Sequence, residues 1–150
     1  MQLSDDPSMR PRNGFALLEV LVTMLIVSFG LLGIAGILAA GLKNDHSSYS
    51  RSQASWLAND IIDRMRANHA AAEGAGLPYN LAIGSDPSGS TVPADDLTQW
   101  RAALAANLSV GTGGVNIDAA TKKVTITIQW NDSRAAGGET AQQFIVETRL

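Results

Sequence analysis

The 150-residue chain contains no cysteine, which excludes a disulfide, a thiol nucleophile and a thiolate metal site. An exported domain built from it must therefore hold together by packing alone. A basic excess is missing too: 11 Lys and Arg against 14 Asp and Glu give a formal charge of −3 and a pI near 5.2. Nucleic-acid binding would call for a clustered basic face, so that class is set aside. Histidine is scarce. His46 and His69 stand about 35 Å apart if one helix carries both, too far to share a metal, and Asp45-His46 and His69 with Glu73 read as exposed polar pairs. Asp86-Pro87-Ser88-Gly89 lacks the carboxylate spacing of a calcium loop. Gly111-Thr112-Gly113-Gly114 has no following cation to make a phosphate loop, and no serine sits in a strained elbow with a matching histidine. The expectation is therefore no enzyme: no catalytic residue, no metal and no cofactor.

What the chain has in excess is one apolar run. From Phe15 to Leu42 the only charge is Glu19 and the only hydroxyls are Thr23 and Ser28. As a helix this run is about 42 Å long against a hydrocarbon core of roughly 30 Å, so it can cross a bilayer with length to spare. A secretory signal peptide has an apolar region of only about 7–15 residues followed by a cleavage site, which does not fit. A plain signal anchor does fit. Orientation follows lysine and arginine rather than net charge, so Arg10 and Arg12 upstream point to a cytoplasmic N-terminus and an exported C-terminal part; downstream, Lys43 and Arg51 are offset by Asp45.

Glu19 is what a plain anchor does not explain. A carboxylate in a membrane helix costs on the order of a few kcal/mol, and it asks for a cation at the same depth. An α-amino group freed by cleavage just before Phe15, four residues upstream, would supply one. Cutting between Gly14 and Phe15 removes the polar leader and leaves the apolar helix on the mature protein.

Gly14-Phe15-Ala16-Leu17-Leu18-Glu19 resembles the prepilin cleavage site, usually Gly-Phe-Thr-Leu-Ile-Glu, with Ala16 departing from the common threonine. The resemblance implies cleavage after Gly14 by prepilin peptidase, N-methylation of Phe15, and docking of an incoming subunit by Glu19 on a neighbour's N-terminal amine. Many major pilins carry a proline further along this helix; here there is none. Gly30, Gly33 and Gly36 recur instead, and they read as close-packing positions or as a stretch able to melt locally.

Beyond Leu42, Ala54, Leu57, Ala58, Ile61, Ile62 and Met65 recur at helical spacing, and Asp60 with Arg64 makes an i,i+4 pair expected on the wet side. The helix is expected to run to about Ala72 and to end near Gly74 and Gly76. Leu57-Ala58-Asn59-Asp60 and Asp63-Arg64-Met65-Arg66-Ala67-Asn68 resemble the corresponding segment of PilV-type minor pilins; on the residues alone, Arg64 and Arg66 read as a solvated helix end. Glu73 to Asp96 is rich in Gly, Pro, Ser and Asp and reads as a long surface loop, pinned by Leu77, Tyr79, Leu81 and Ile83.

A short helix is expected next, capped by Asp95 or Asp96, with Leu97, Trp100, Leu104 and Leu108 buried. A glycine-rich turn at Gly111, Gly113 and Gly114 then leads into strands. Val115 and Ile117 suggest a short one, Val124, Ile126, Ile128 and Trp130 share one face of the second, and Phe144, Val146, Thr148 and Leu150 share one face of the third. The Trp-Asn-Asp turn and the final strand also resemble PilV-type chains.

The expected fold is α+β, a pilin-like lollipop: a long N-terminal helix, membrane-spanning in its first half, on a small antiparallel sheet. Its divisions are a leader 1–14, a transmembrane or filament-core helix 15–42, an amphipathic continuation 43–72 and a head 73–150. The resemblance implies a minor pilin of a type IV pilus, stored in the bacterial inner membrane with its head periplasmic and then carried to the cell surface. Its partners would be other minor and major pilins, prepilin peptidase and the inner-membrane assembly platform. A minor pseudopilin of a type II secretion system shares the cleavage motif and the helix. A signal-anchored periplasmic enzyme or binding domain would instead keep its N-terminus uncut and carry a site in the head.

Overall fold

A computed structural model describes residues 13–135 and 137–150, with side chains from residue 16 onward. The elements in chain order are α1 (Asn13–Ala67), α2 (His69–Ala72), α3 (Val92–Asn107), β1 (Thr112–Ile117), β2 (Lys123–Trp130) and β3 (Gln142–Arg149). They fall into two compact units, the first ending at Ala40 and the second spanning Gly41–Leu150. The leader, residues 1–14, lies outside the described residues except for the backbone of Asn13 and Gly14.

The first unit is the opening stretch of α1. Its best 18-residue window has a mean hydropathy of 2.5, and none of that window is buried. The helix is long and apolar enough to cross a membrane. Its two hydroxyls fold back onto the helix: Thr23 Oγ1 donates to Glu19 O at 2.8 Å and Ser28 Oγ to Met24 O at 2.7 Å. Neither then presents an unmet donor to hydrocarbon. Open space surrounds Gly30, Gly33 and Gly36.

The second unit is built around one core. The stripe Ala54, Leu57, Ala58, Ile61, Ile62 and Met65 of α1 meets Leu97, Trp100 and Leu104 of α3 and the inner face of the sheet. Spacing of three and four puts the α1 stripe on one side of the helix, as its sequence requires. Trp100 is fully buried, and its indole Nε1 donates to Leu57 O at 2.9 Å, so the large side chain meets its one polar need.

The sheet is antiparallel with order β1-β2-β3. Its register sets Val115 beside Ile126 and Ile126 beside Val146, with Gly113, Ile128 and Phe144 forming the next row. Alternation buries Val124, Ile126, Ile128 and Trp130 completely, whereas β3 at the edge keeps Phe144, Val146 and Thr148 only half-buried. In the tight turn between β1 and β2, the Asp118 carboxylate accepts from the backbone N–H groups of Ala120 and Thr121, which holds its pKa below the usual carboxylate value.

Four expectations need correction. First, α1 stops at Ala67. Asn68 leaves the helical region at φ −115° and ψ 44°, and its carbonyl accepts from both Ala71 and Ala72, so 69–72 form a separate turn. Second, α3 starts at Val92 behind Thr91, with Pro93 in its first turn, so neither Asp95 nor Asp96 is the cap. Third, Gly113 and Gly114 belong to β1 rather than to a turn. A Cβ on Gly113 would lie 2.6 Å from Trp100 Cη2, and one on Gly114 would lie 2.8 Å from Leu81 O. Both are strand positions that must be bare because other groups press on them. Fourth, Arg64 is only partly exposed, 30% at its side chain, and bonds to α3 as well as to Asp60.

Candidate processing and assembly site

Gly14 and Phe15 fall in the first turn of α1 by backbone, while their side chains lie outside the described residues. Glu19 follows Phe15 by four residues, about one helical turn, on the exposed helix surface. Residues Ala16 through Asp45 are all exposed, so Glu19 is set in a sleeve of unburied apolar side chains. A carboxylate, a glycine–phenylalanine junction and a bare apolar helix are thus consecutive along one element. That arrangement can be cut at its polar edge and can present an acid to a cation at a neighbour's equivalent depth.

The segment Asp63 to Asn68 is accounted for inside the second unit. Arg64 Nε meets Asp60 Oδ2 at 3.0 Å, and its Nη1 meets Asp96 Oδ1 at 3.3 Å and Gln99 Oε1 at 2.9 Å, which ties α1 to α3. Asn68 Nδ2 donates to Tyr79 Oη at 3.3 Å, and Tyr79 Oη donates to Asp96 Oδ2 at 2.6 Å. Tyr79 is fully buried. Burial first, then the hydrogen bond to Asp96 and that residue's charge, push its phenol up to about 12. Met65 is a core residue, and Asp63 with Arg66 forms an exposed i,i+3 pair at 3.3 Å. Asp60 with Arg64 is therefore a half-exposed pair that also belongs to an inter-helix network.

The loop before α3 is anchored more closely than composition implied. Leu81 and Val115 exchange backbone hydrogen bonds at 2.8 and 2.9 Å, and Asn80 Oδ1 accepts from Ile117 N at 2.7 Å. Tyr79 is its buried anchor, Leu77 and Leu81 pack on the core, and Ile83 is 41% exposed. Beside this loop, Asn80 to Ile83 and the outward residues Gly114, Asn116, Thr125 and Thr127 line an open cavity of about 340 Å³.

Two further polar residues matter and were not legible in the sequence. Asp132 is 2% exposed; its Oδ2 accepts from Ser47 Oγ at 2.7 Å, and its Oδ1 is buried with no partner among the described residues. The contact joins α1 to the turn after β2 across 85 positions, a separation no local pattern reveals. His69 Nε2 and Glu73 Oε1 lie 3.7 Å apart. Among the described residues, no group of three or more His, Asp or Glu is placed to hold a metal ion.

Residues 9–35 match the family described as the prokaryotic N-terminal methylation motif. The match spans the Gly14–Phe15 junction, Glu19 and the apolar run as far as Ala35, so the chain carries a type IV prepilin-like N-terminus. It supports a pilin-like or pseudopilin-like protein with an apolar membrane-anchoring helix. Neither a curated protein nor a solved structure matches the chain.

Proposed function

We propose that the chain is a PilV-type minor pilin of a type IV pilus, with a structural rather than a catalytic role. It is made as a precursor, cut after Gly14 by prepilin peptidase and N-methylated at Phe15. Residues 15–42 hold it in the inner membrane with the N-terminus cytoplasmic and the head periplasmic, until Glu19 seats it against a neighbour's N-terminal amine during assembly. The observation that carries this reading is the methylation-motif match at 9–35, set at the polar edge of a helix whose apolar side chains from Ala16 to Leu42 are all exposed.

The energetics support Glu19 as the docking group. An ionised carboxylate within hydrocarbon is costly, and pairing it with an ammonium in the same apolar layer relieves both charges at once. Resemblance of the Asp63–Asn68 segment to PilV-type chains favours a pilus over a type II secretion pseudopilus, which shares the motif and the helix. The discriminating experiment is a pull-down of the processed full-length chain from membranes. Co-purification with pilins of a type IV pilus is expected; co-purification with type II secretion pseudopilins alone would contradict the assignment.

A further inference from the structure

Three non-glycine residues among those described take a positive φ: Leu77 at 45°, Val110 at 53° and Lys122 at 56°. The left-handed region is uncommon for any side chain and worst for a β-branched one. Leu77 packs on the core, and Lys122 Nζ donates to Glu73 O at 3.2 Å, so each is held by a contact of its own. Val110 is the β-branched member of the three, and it is 80% exposed. Glycine or asparagine would relax this backbone and suit water better. Strain and apolar exposure thus coincide at one position with no return inside the protein, the pattern of a residue kept for something outside it.

Two sets of contacts fix where Val110 lies in the second unit. Helix α3 runs antiparallel to α1, since Asp96 and Gln99 meet Arg64 while Trp100 meets Leu57. The turn that follows α3 therefore approaches the lower-numbered end of this stretch of α1. Independently, Asn131 N donates to Ser109 O at 2.8 Å, and the next residue, Asp132, accepts from Ser47 Oγ at 2.7 Å. Both routes carry Val110 to about the level of Ser47, five residues past Leu42. The apolar run is about 10 Å longer than the hydrocarbon, and a helix with such a surplus tilts. A tilt of about 30–40° brings Leu42 to the hydrocarbon edge and leaves Ser47 about 6 Å beyond it, within a headgroup layer about 5–8 Å deep.

We infer that the Val110 turn is a second membrane contact, an apolar wedge that seats the end of the second unit in the phospholipid headgroup layer of the bilayer holding residues 15–42. A protein partner fits poorly, because one valine offers on the order of 100 Å² against the roughly 1,200 Å² of a stable interface. The interfacial layer of a bilayer accepts single apolar groups. Exposed Lys43 and Arg134 at this end are matched by exposed Asp45 and Glu139, so the contact is led by the valine rather than by net charge. The inference rests on the reading that residues 15–42 sit in a bilayer.

Because the chain has no cysteine, a single Ser109→Cys change takes a thiol-reactive fluorophore at one place beside an intact Val110. Thr121→Cys is the control, in the turn at the other end of β1, about 20 Å away. The full-length chain is reconstituted in vesicles of phosphatidylethanolamine and phosphatidylglycerol that contain a lipid with a nitroxide on its headgroup, and no other protein. Quenching at 109 at least threefold above that at 121 is expected, and raising the salt should leave it in place. Adding Val110→Asn should bring quenching at 109 down to the level at 121 without lowering the thermal midpoint. Equal quenching at the two positions overturns the inference, as does quenching that survives Val110→Asn or a midpoint that falls with it, which would make Val110 a packing residue. Retention on the vesicles through an alkaline carbonate wash is read on the same samples. A retained chain with equal quenching defeats this inference alone, whereas a chain washed off defeats the anchoring reading and this inference with it.

Discussion

Replacing Tyr79 by phenylalanine isolates the polar network that joins α1, the long loop and α3. The ring stays in its fully buried site and only the hydroxyl is lost, with its bonds to Asp96 Oδ2 at 2.6 Å and from Asn68 Nδ2 at 3.3 Å. A hydrogen bond to a charged group contributes about 1.5–3 kcal/mol. Asp96 keeps Arg64 at 3.3 Å and is 17% exposed at its side chain, so water and the guanidinium recover part of the loss. A net destabilisation of about 2 kcal/mol follows, equivalent to a urea midpoint lower by about 1 M at an m-value near 2 kcal/mol/M. The assay is urea unfolding of the full chain in detergent micelles, read by the fluorescence of the buried Trp100 and Trp130.

The same residue gives a pH signature. The folded phenol is raised to about 12 from the ordinary 10, so the folded state favours the protonated form. Its contribution is complete below pH 10 and is lost as pH rises from 10 through about 12. Tyr79→Phe should lack that part of the alkaline loss. A midpoint unchanged within about 0.2 M, with the alkaline limb intact, would refute the network and free the Asp63–Asn68 segment for an external role.

Gly113→Ala should destabilise by about 1–3 kcal/mol, seen as a lowered thermal midpoint, because its Cβ would meet Trp100 Cη2 at 2.6 Å and Leu104 Cδ1 at 2.7 Å. Ser47→Ala removes the hydroxyl donor from buried Asp132 and should cost about 1–3 kcal/mol in urea unfolding; the double variant with Asp132→Asn should cost less than the sum of the two single changes. Glu19→Ala should insert into membranes as well as the parent or better, by on the order of a few kcal/mol, and yet fail to co-assemble with partner pilins. Normal incorporation of that variant into sheared pili would remove Glu19 from the docking role.

Periodicity carried most of the fold. The α1 stripe, the α3 stripe and the alternation in β2 and β3 each report a buried face directly, because burial on a helix or strand repeats with the element's own period. The misread positions share a different cause. Asp96 looks like a helix cap in isolation; its actual partners are Arg64 and Tyr79, 32 and 17 positions away, and spacing says nothing about such pairs. Gly113 and Gly114 look like a turn, but they are strand residues cleared for Trp100 and for the Leu81 and Ile83 loop. The start of α3 is set a few residues upstream of the aspartates, behind Thr91 and with Pro93 in the first turn. At the N-terminus the situation is reversed. The motif is legible because it is local, whereas its chemistry depends on a peptidase and on neighbouring subunits that no single chain contains.

The most direct measurement is the intact mass and N-terminal residue of the membrane-extracted protein, made with and without a prepilin peptidase. The account predicts a chain that begins at methylated Phe15 only when the peptidase is present. A chain that still begins at Met1 in the presence of active peptidase would contradict it and leave an anchored domain of another kind.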